Sequence, residues 1–313
     1  MESTTPTPAT SSSAAGLDSL AHAGLLSQWW FWAAVIVVLA ATILIFYLLR
    51  RRRGTVAAAQ GVLALDVAVI SEQGARESQQ DSCGVSAPEL MPTHGFLAVL
   101  ADGMGGLEDG DMVSRAAVGT MLDVFPCTDA YSEPELAMTE MLRRTNERIN
   151  ELLGPERLGE CGSTLAAVLI RGERLYFASI GDSRIVLLHG GALYTLNREH
   201  DLKSELLRLA INGEGSAYEA FHSEERGALT SYLGMGRLRQ VDMCSHPVRL
   251  YAGDTVAVMS DGVYNALDDE AIAAALSLPA GEAVRALADA ISARALPRQD
   301  NYSAVVIKAR TPQ

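Results

Sequence analysis

The sequence predicts an α+β sandwich of antiparallel strands with helices grouped between them, preceded by one transmembrane helix. Three observations lead there. Seven short runs rich in Val, Ile, Leu, Tyr and Phe are bounded by Gly, Asp or Asn, as buried strands are. One pair of these runs is joined by a connection too short for a parallel crossover, and a second tight turn follows another run. An uncharged apolar stretch stands before all of them.

In chain order, residues 1–28 are rich in Ser, Thr, Pro and Ala and carry no Lys or Arg, so they read as a flexible tail. Residues 29–49 contain no charge. At the rise of an α-helix they extend about 31 Å, close to the hydrocarbon thickness of a bilayer. Trp29, Trp30 and Trp32 mark one interface, and Arg50, Arg51, Arg52 and Arg53 the other. Positive charge stays on the cytoplasmic side, so the tail is expected outside a bacterial inner membrane and the body in the cytoplasm. A cleaved signal peptide has its charges before the apolar run. A buried core helix, the alternative, rarely runs this long without a polar face. Residues 50–60 read as a basic juxtamembrane linker, and residues 61–313 as the folded body.

The strands are expected over Leu65–Ile70, Phe96–Ala101, Thr164–Ile170, Arg174–Ile180, Arg184–Leu188, Thr255–Met259 and Tyr302–Lys308. Arg171-Gly172-Glu173 signals a tight hairpin, and Gly190-Gly191 a second. Apolar residues at three- and four-residue spacing predict helices over Met112–Phe125, Glu133–Leu153, Asp268–Leu278 and Gly281–Ala293. Ser132 is the expected cap of the second, with Pro134 and two acids in its first turn.

The formal net charge of the 313 residues is −13. Only two acidic residues but four basic ones precede position 61, so the body is more acidic still. Such a body is a poor partner for nucleic acid, which needs clustered Lys and Arg. It suits a protein that concentrates divalent cations. Cys83, Cys127, Cys161 and Cys244 are widely spaced with no C-x-x-C pair, which argues against a structural zinc site or a disulfide scaffold. No H-x-x-x-H, P-loop Lys-[ST] or G-x-S-x-G context is present, so zinc, nucleotide and serine-hydrolase chemistry lack their usual motifs.

The aspartates carry the chemistry. Asp102-Gly103 follows Phe96–Ala101, Asp261-Gly262 follows Thr255–Ser260, Asp300-Asn301 precedes Tyr302, and Asp81 follows Gln79-Gln80. Each alone reads as a turn. Together they place four short carboxylates where a sheet rim is expected, the ligands that Mg²⁺ or Mn²⁺ prefers. A glycine beside an aspartate permits close backbone approach. Two such ions can clamp a phosphoryl group.

With these motifs in view, the chain resembles the metal-dependent protein phosphatase family, also called protein phosphatase 2C or PPM, in its bacterial form. The likeness runs from about Asp66 to Ile307. Arg76-Glu77-Ser78-Gln79-Gln80-Asp81 matches R-x-x-N-Q-D, Asp102-Gly103-Met104-Gly105-Gly106 matches D-G-M-G-G, and Gly162-Ser163-Thr164 is G-T-T-like. Gly181-Asp182-Ser183-Arg184 matches G-D-S-R, Ser260-Asp261-Gly262 matches S-D-G, and Asp300-Asn301-Tyr302-Ser303 matches D-N-x-[ST]. The six stand in family order.

The resemblance implies an antiparallel β-sandwich flanked by helices and a phosphoserine/phosphothreonine protein phosphatase. Asp81, Asp102, Asp261 and Asp300, with the Gly103 carbonyl, would hold two Mn²⁺ or Mg²⁺ ions, and Asp182 a weaker third. Arg76 would hold the substrate phosphate, and a metal-activated hydroxide would attack phosphorus directly. Met104 stands where animal members carry a His, Asn265 where an Asp often serves the third metal, and Ser231 where an Arg is usual. Glu199-His200-Asp201 is similar to the family's D-H element and reads equally as a polar loop. Residues Leu202–Leu229 would be the mobile flap beside the active site, a surface loop with Gly213, Gly215 and Gly227.

The expected protein is thus a single-pass inner-membrane phosphatase with a monomeric catalytic domain, acting on phosphoproteins and opposing a Ser/Thr kinase. Its rivals are an inactive scaffold of the same fold, a phosphatase of an anti-sigma-factor antagonist, and a membrane-tethered module whose acidic rim only binds Ca²⁺.

Overall fold

Strand Phe96–Met104 shows how the layers arise. Phe96, Ala98 and Leu100 point one way and Leu97, Val99 and Ala101 the other, and all six are buried. A strand alternates its side chains between two faces, so a wholly apolar run needs cover on both sides. The first set packs against Ile185, Leu187, Val256, Val258, Val305 and Ile307 of a second sheet. The second set packs under the helices Asp109–Val124 and Pro134–Arg157. The other sheet does the same in mirror order: Ala257, Met259, Ala304 and Val306 meet the helices Asp269–Leu276 and Ala280–Arg294. Four layers result, helix, sheet, sheet, helix.

The computed structural model describes residues 63–105 and 109–312, with Val35 and residues 37–39. By internal contacts the chain divides into residues 1–60 and 61–313. In the body, β1 is Ala64–Glu72, β2 Asp81–Val85, β3 Phe96–Met104, β4 Gly162–Ser163, β5 Leu165–Arg171, β6 Arg174–Ile180, β7 Arg184–His189 and β8 Ala192–Thr195. The last four are β9 Asp242–Met243, β10 Val248–Arg249, β11 Thr255–Met259 and β12 Tyr302–Arg310. One sheet has the order β1-β12-β11-β7-β8 and the other β10-β6-β5-β3-β2, with β4 beside β3 and β9 beside β6. Each of these ladders is antiparallel. Both expected hairpins are present, β5–β6 and β7–β8; Gly172, Gly190 and Gly191 all have positive φ, as such turns require.

Several expectations are corrected. Ser132 does not cap the second helix. Glu133 occupies that position without a side-chain bond, and the Ser132 amide instead donates to Asp129 Oδ1 at 3.1 Å. Pro134, already fixed in φ, starts the helix without a cap. Residues 202–229 are not simply a loop: Leu202–Ile211 and Ala217–His222 are helices, capped by Asp201 and Ser216. Asp102-Gly103 is not a turn after β3 but lies inside it. The expected strand at Thr164 begins one residue later, Thr164 standing between β4 and β5.

Among the described residues no helix is long and apolar enough to cross a membrane. The expected span 29–49 lies outside them except for Val35 and residues 37–39. These four are helical, and Val37, Val38 and Leu39 are exposed.

Candidate metal centre

Antiparallel pairing of β2 with β3 sets Asp81 directly opposite Asp102. Like charges in that register repel. The other two aspartates come from the second sheet. Asp261 opens the short helix that follows β11, and Asp300 lies in the loop two residues before β12. Because β11 and β12 are neighbours, with Met259 opposite Ala304, both carboxylates emerge at one rim. Asp182 joins them from the β6–β7 turn, where Gly181 has φ 95°.

A buried hydroxyl joins the two halves. Ser260 Oγ donates to Asp81 Oδ2 at 2.7 Å and accepts the Ser303 amide at 2.9 Å. Asn301 clamps the loop that carries Arg76: its Nδ2 donates to the Gln73 and Ser78 carbonyls, and its Oδ1 accepts the Gln80 amide. Thr164 and Asp102 exchange bonds, the Asp102 amide donating to Thr164 Oγ1 at 2.9 Å and the Thr164 amide to the Asp102 carbonyl at 2.8 Å. Ser260, Asn301 and Thr164 were visible only as members of short motifs; no periodicity in the sequence marks a residue that braces a rim from another strand.

A cavity of about 350 Å³ opens among these groups, lined by Arg76, Asp102, Gly103, Asp182, Asp261 and Asp300. Asp81 lies beneath it, 5% exposed. All the sequence-predicted site residues are therefore brought to one place, while Glu199, His200 and Asp201 are not on this cavity. Glu199 pairs with Arg184 at 2.6 Å, and His200 Nδ1 accepts the Gly181 amide at 3.2 Å. Asn265 donates to Asp261 Oδ2 at 3.2 Å. Ser231, for which the sequence offers no rationale, is buried and holds both polar atoms of the Gln240 backbone, pinching the loop between them.

The electrostatics are those of crowded acids. Burial pushes Asp81 up to about 6, opposed by the Ser260 and Ser303 hydroxyls and reinforced by Asp300. Burial and then the charge of Asp300 raise Asp261 to about 6; burial and Asp261 raise Asp182 to about 7. Asp102 is raised by burial and by all four neighbours. Among the described residues no three His, Cys, Asp or Glu side chains are spaced as ligands of one ion; Asp300 pairs with Arg76, Oδ2 to Nη2 at 2.5 Å. Asp81 Oδ1 is buried with no hydrogen-bond partner. A buried, unpartnered carboxylate oxygen amid four other acids is what a hard divalent cation relieves, so the residues fit such ions.

The raised values fix a sign. The folded state holds more protons than the unfolded chain between about pH 4 and pH 7, so without metal the group's contribution is full below pH 4 and lost as pH rises. A cation competes with those protons. The Mn²⁺-induced rise in melting temperature is therefore expected to be larger near pH 8 than near pH 5, measured against EDTA controls. An equal rise at both values would contradict the clustering.

Comparison with known proteins agrees with this geometry. Residues 71–299 match the family profile described as Protein phosphatase 2C. The chain belongs to the protein phosphatase 2C family. It is 33% identical over 174 residues to the serine/threonine phosphatase stp of Listeria monocytogenes, covering 54% of this chain and 67% of that protein. PppA, a regulatory component of the type VI secretion system of Pseudomonas aeruginosa, is 29% identical, with a TM-score of 0.66 over 80% of this chain and 99% of its own. The catalytic domain of the phosphatase PstP in complex with two manganese ions is 26% identical, with a TM-score of 0.62 over 79% of this chain and 99% of its own.

Proposed function

We infer that this chain is a metal-dependent protein-serine/threonine phosphatase. The observation that carries the inference is the convergence of Asp81 and Asp102 from one sheet with Asp261 and Asp300 from the other, around a cavity with Arg76 at its mouth. These four carboxylates, with the Gly103 carbonyl, are assigned to two divalent cations, and Asp182 to a weaker third. Manganese is the preferred assignment, by likeness to the PstP domain, with magnesium as the alternative. When bound, such ions polarise the phosphoryl oxygens and lower the pKa of water.

The chain's own residues do the rest. Ser260 orients the Asp81 carboxylate, and the opposed pair 81/102 is fixed by sheet register. Arg76, 58% exposed at its side chain, exchanges the Asp300 carboxylate for the planar, bidentate hold that a guanidinium offers a phosphate. Asn301 keeps that arginine's loop against the rim. Met104 at the cavity edge offers no titratable proton, so the leaving oxygen takes its proton from solvent.

The substrates are phosphoserine and phosphothreonine in proteins, and the physiological role is to oppose a Ser/Thr kinase. Purified chain with Mn²⁺ is expected to hydrolyse phosphothreonine peptides, and to lose at least about a hundredfold in rate with EDTA, several kcal/mol of charge stabilisation being removed. Binding without turnover would point to a scaffold, and turnover confined to one phosphorylated anti-sigma-factor antagonist to that narrower role.

The uncharged stretch 29–49 and the four arginines after it support anchoring in a bacterial inner membrane with the body in the cytoplasm. The full chain is expected to sediment with membranes and to be released by detergent but not by salt. A chain starting at residue 61 is expected in the soluble fraction, and its sedimenting would overturn the anchor.

A further inference from the structure

Glu199-His200-Asp201 lies off the metal cavity, yet all three residues are tied to its wall. Two segments of that wall meet at His200: the β6–β7 turn that carries Asp182, and residues 227–229. The His200 amide donates to the Gly181 carbonyl at 2.9 Å, and the Gly181 amide donates back to His200 Nδ1 at 3.2 Å. The His200 carbonyl accepts the Thr230 amide at 2.8 Å, and Asp201 forms an antiparallel bridge to Leu229. Two of the three bonds at His200 use only its backbone, so any residue could make them. The bond from the Gly181 amide needs a side chain, and one with an acceptor at that place.

The turn has little slack without it. Gly181 is buried with φ 95°, and a Cβ there would meet Thr164 Cγ2 at 2.7 Å. Thr164 in turn accepts the Asp102 amide and bonds the Ser183 hydroxyl. A buried amide stripped of its acceptor is costly, and the Gly181 peptide can relieve that cost only by moving. Asp182 is the next residue. Its own carbonyl accepts the Tyr264 hydroxyl at 3.0 Å; the Arg184 guanidinium lies 3.8 Å over that ring and pairs with Glu199 at 2.6 Å. Glu199 and His200, adjacent in sequence, thus reach one turn by separate routes.

We propose that His200 is a positioning residue for Asp182: its Nδ1, acting through the Gly181 amide, holds that carboxylate ready for the third, weaker divalent ion. The proposal rests on the assignment of Asp182 in the phosphatase reading above. Because His200 is not on the metal cavity, its loss should spare the tight pair assigned to Asp81, Asp102, Asp261 and Asp300.

Mn²⁺ binding to the full chain, followed by the paramagnetic resonance of the free ion, tests it with two variants. Asparagine can set Oδ1 where Nδ1 stands, whereas glutamine carries its acceptor one bond farther out. His200→Gln is expected to weaken the weakest Mn²⁺ about tenfold, the usual effect of losing a group that orients a ligand from behind. The two tight ions should stay as in wild type. His200→Asn should bind all three ions as wild type does, a rescue that a packing role alone would not give. Asp182→Asn should weaken the same ion, and adding His200→Gln to it should cost nothing further. Melting in EDTA reports that each variant is folded.

An unchanged weakest ion in His200→Gln would overturn the proposal, as would its loss in folded His200→Asn or a further loss in the double variant. A wild-type chain that binds two ions and turns over phosphothreonine peptide, with no third ion, overturns the positioning role and leaves the phosphatase. Three ions with the expected pattern of variants but no turnover leave the positioning role and remove the phosphatase.

Discussion

Asp102→Asn is expected to lower kcat/KM by about a thousandfold while making the metal-free protein more stable. The two effects have one cause. Asp102 faces Asp81 across the β2–β3 ladder and is surrounded by Asp261, Asp182 and Asp300. Without cations the carboxylate sits among like charges in a partly desolvated rim, so an isosteric neutral amide relieves repulsion, by about 1 kcal/mol for a directly opposed pair. With cations the same carboxylate becomes a ligand. Its loss weakens both the ions' hold and the transition-state charge stabilisation they supply, several kcal/mol, which is a factor of about 10³ in rate. The checks are thermal melts in EDTA and in Mn²⁺, paired with peptide turnover. The variant should melt higher than wild type in EDTA and gain less from Mn²⁺. A variant that is less stable in EDTA would mean that Asp102 is held by favourable contacts, not by cations, and would undo the metal assignment. Both outcomes are readable because Asn preserves the strand: the Asp102 backbone keeps its bonds to Thr164 in either case.

The sandwich was legible because its strands are covered on both faces. Runs such as Thr255–Met259 and Arg174–Ile180 need no alternation to be recognised, and their observed bounds are those expected. The helices were legible for the complementary reason, an apolar stripe against each sheet. What escaped detection is instructive. Asp81-Ser82-Cys83-Gly84-Val85 forms β2 although Asp, Ser and Gly disfavour strands. Its place is set by pairing with the largely buried β3, and Gly84 lies close under the helix Asp109–Val124, where a Cβ would oblige the Leu122 side chain to shift from 2.8 Å. Local propensity was outweighed by position. The helices in residues 202–222 were hidden by Gly213 and Gly215, which fall between them rather than within a long loop. The site was legible as a set of aspartates because Asp102, Asp261 and Asp300 stand next to recognisable apolar runs, while Asp81 was marked only by the short motif that it ends. Its supports were not: Ser260 reaches Asp81 across 179 positions, and no local pattern encodes a bond of that separation.

The glycines beside the aspartates make the strongest claim about the fold itself. Gly262→Ala is expected to destabilise the protein by about 3 kcal/mol, the upper part of the range for overpacking a rigid site. A Cβ at Gly262 would lie 2.0 Å from the Asn301 carbonyl oxygen and 2.9 Å from its carbon. That carbonyl cannot retreat easily. Asn301 is buried, its side chain is bonded to Gln73, Ser78 and Gln80, and β12 begins at the next residue. Any shift moves Asp261 and Asp300 together, so metal affinity should fall with stability. Gly103 is under the same constraint from the Gly110 carbonyl at 2.2 Å and the Gln80 carbonyl at 2.7 Å. Glycine is thus needed here for approach of backbone to backbone, not for an unusual dihedral. Gly119 is the internal control. It lies mid-helix in Asp109–Val124, and a Cβ there would meet nothing within 4 Å, so Gly119→Ala should stabilise by about 0.5–1 kcal/mol through helix propensity. Urea titration of both variants decides the matter: opposite shifts of the midpoint at an unchanged slope. If Gly262→Ala were neutral, the rim would be plastic. The aspartates would then owe their convergence to bound ions, not to the close packing of β11 against β12.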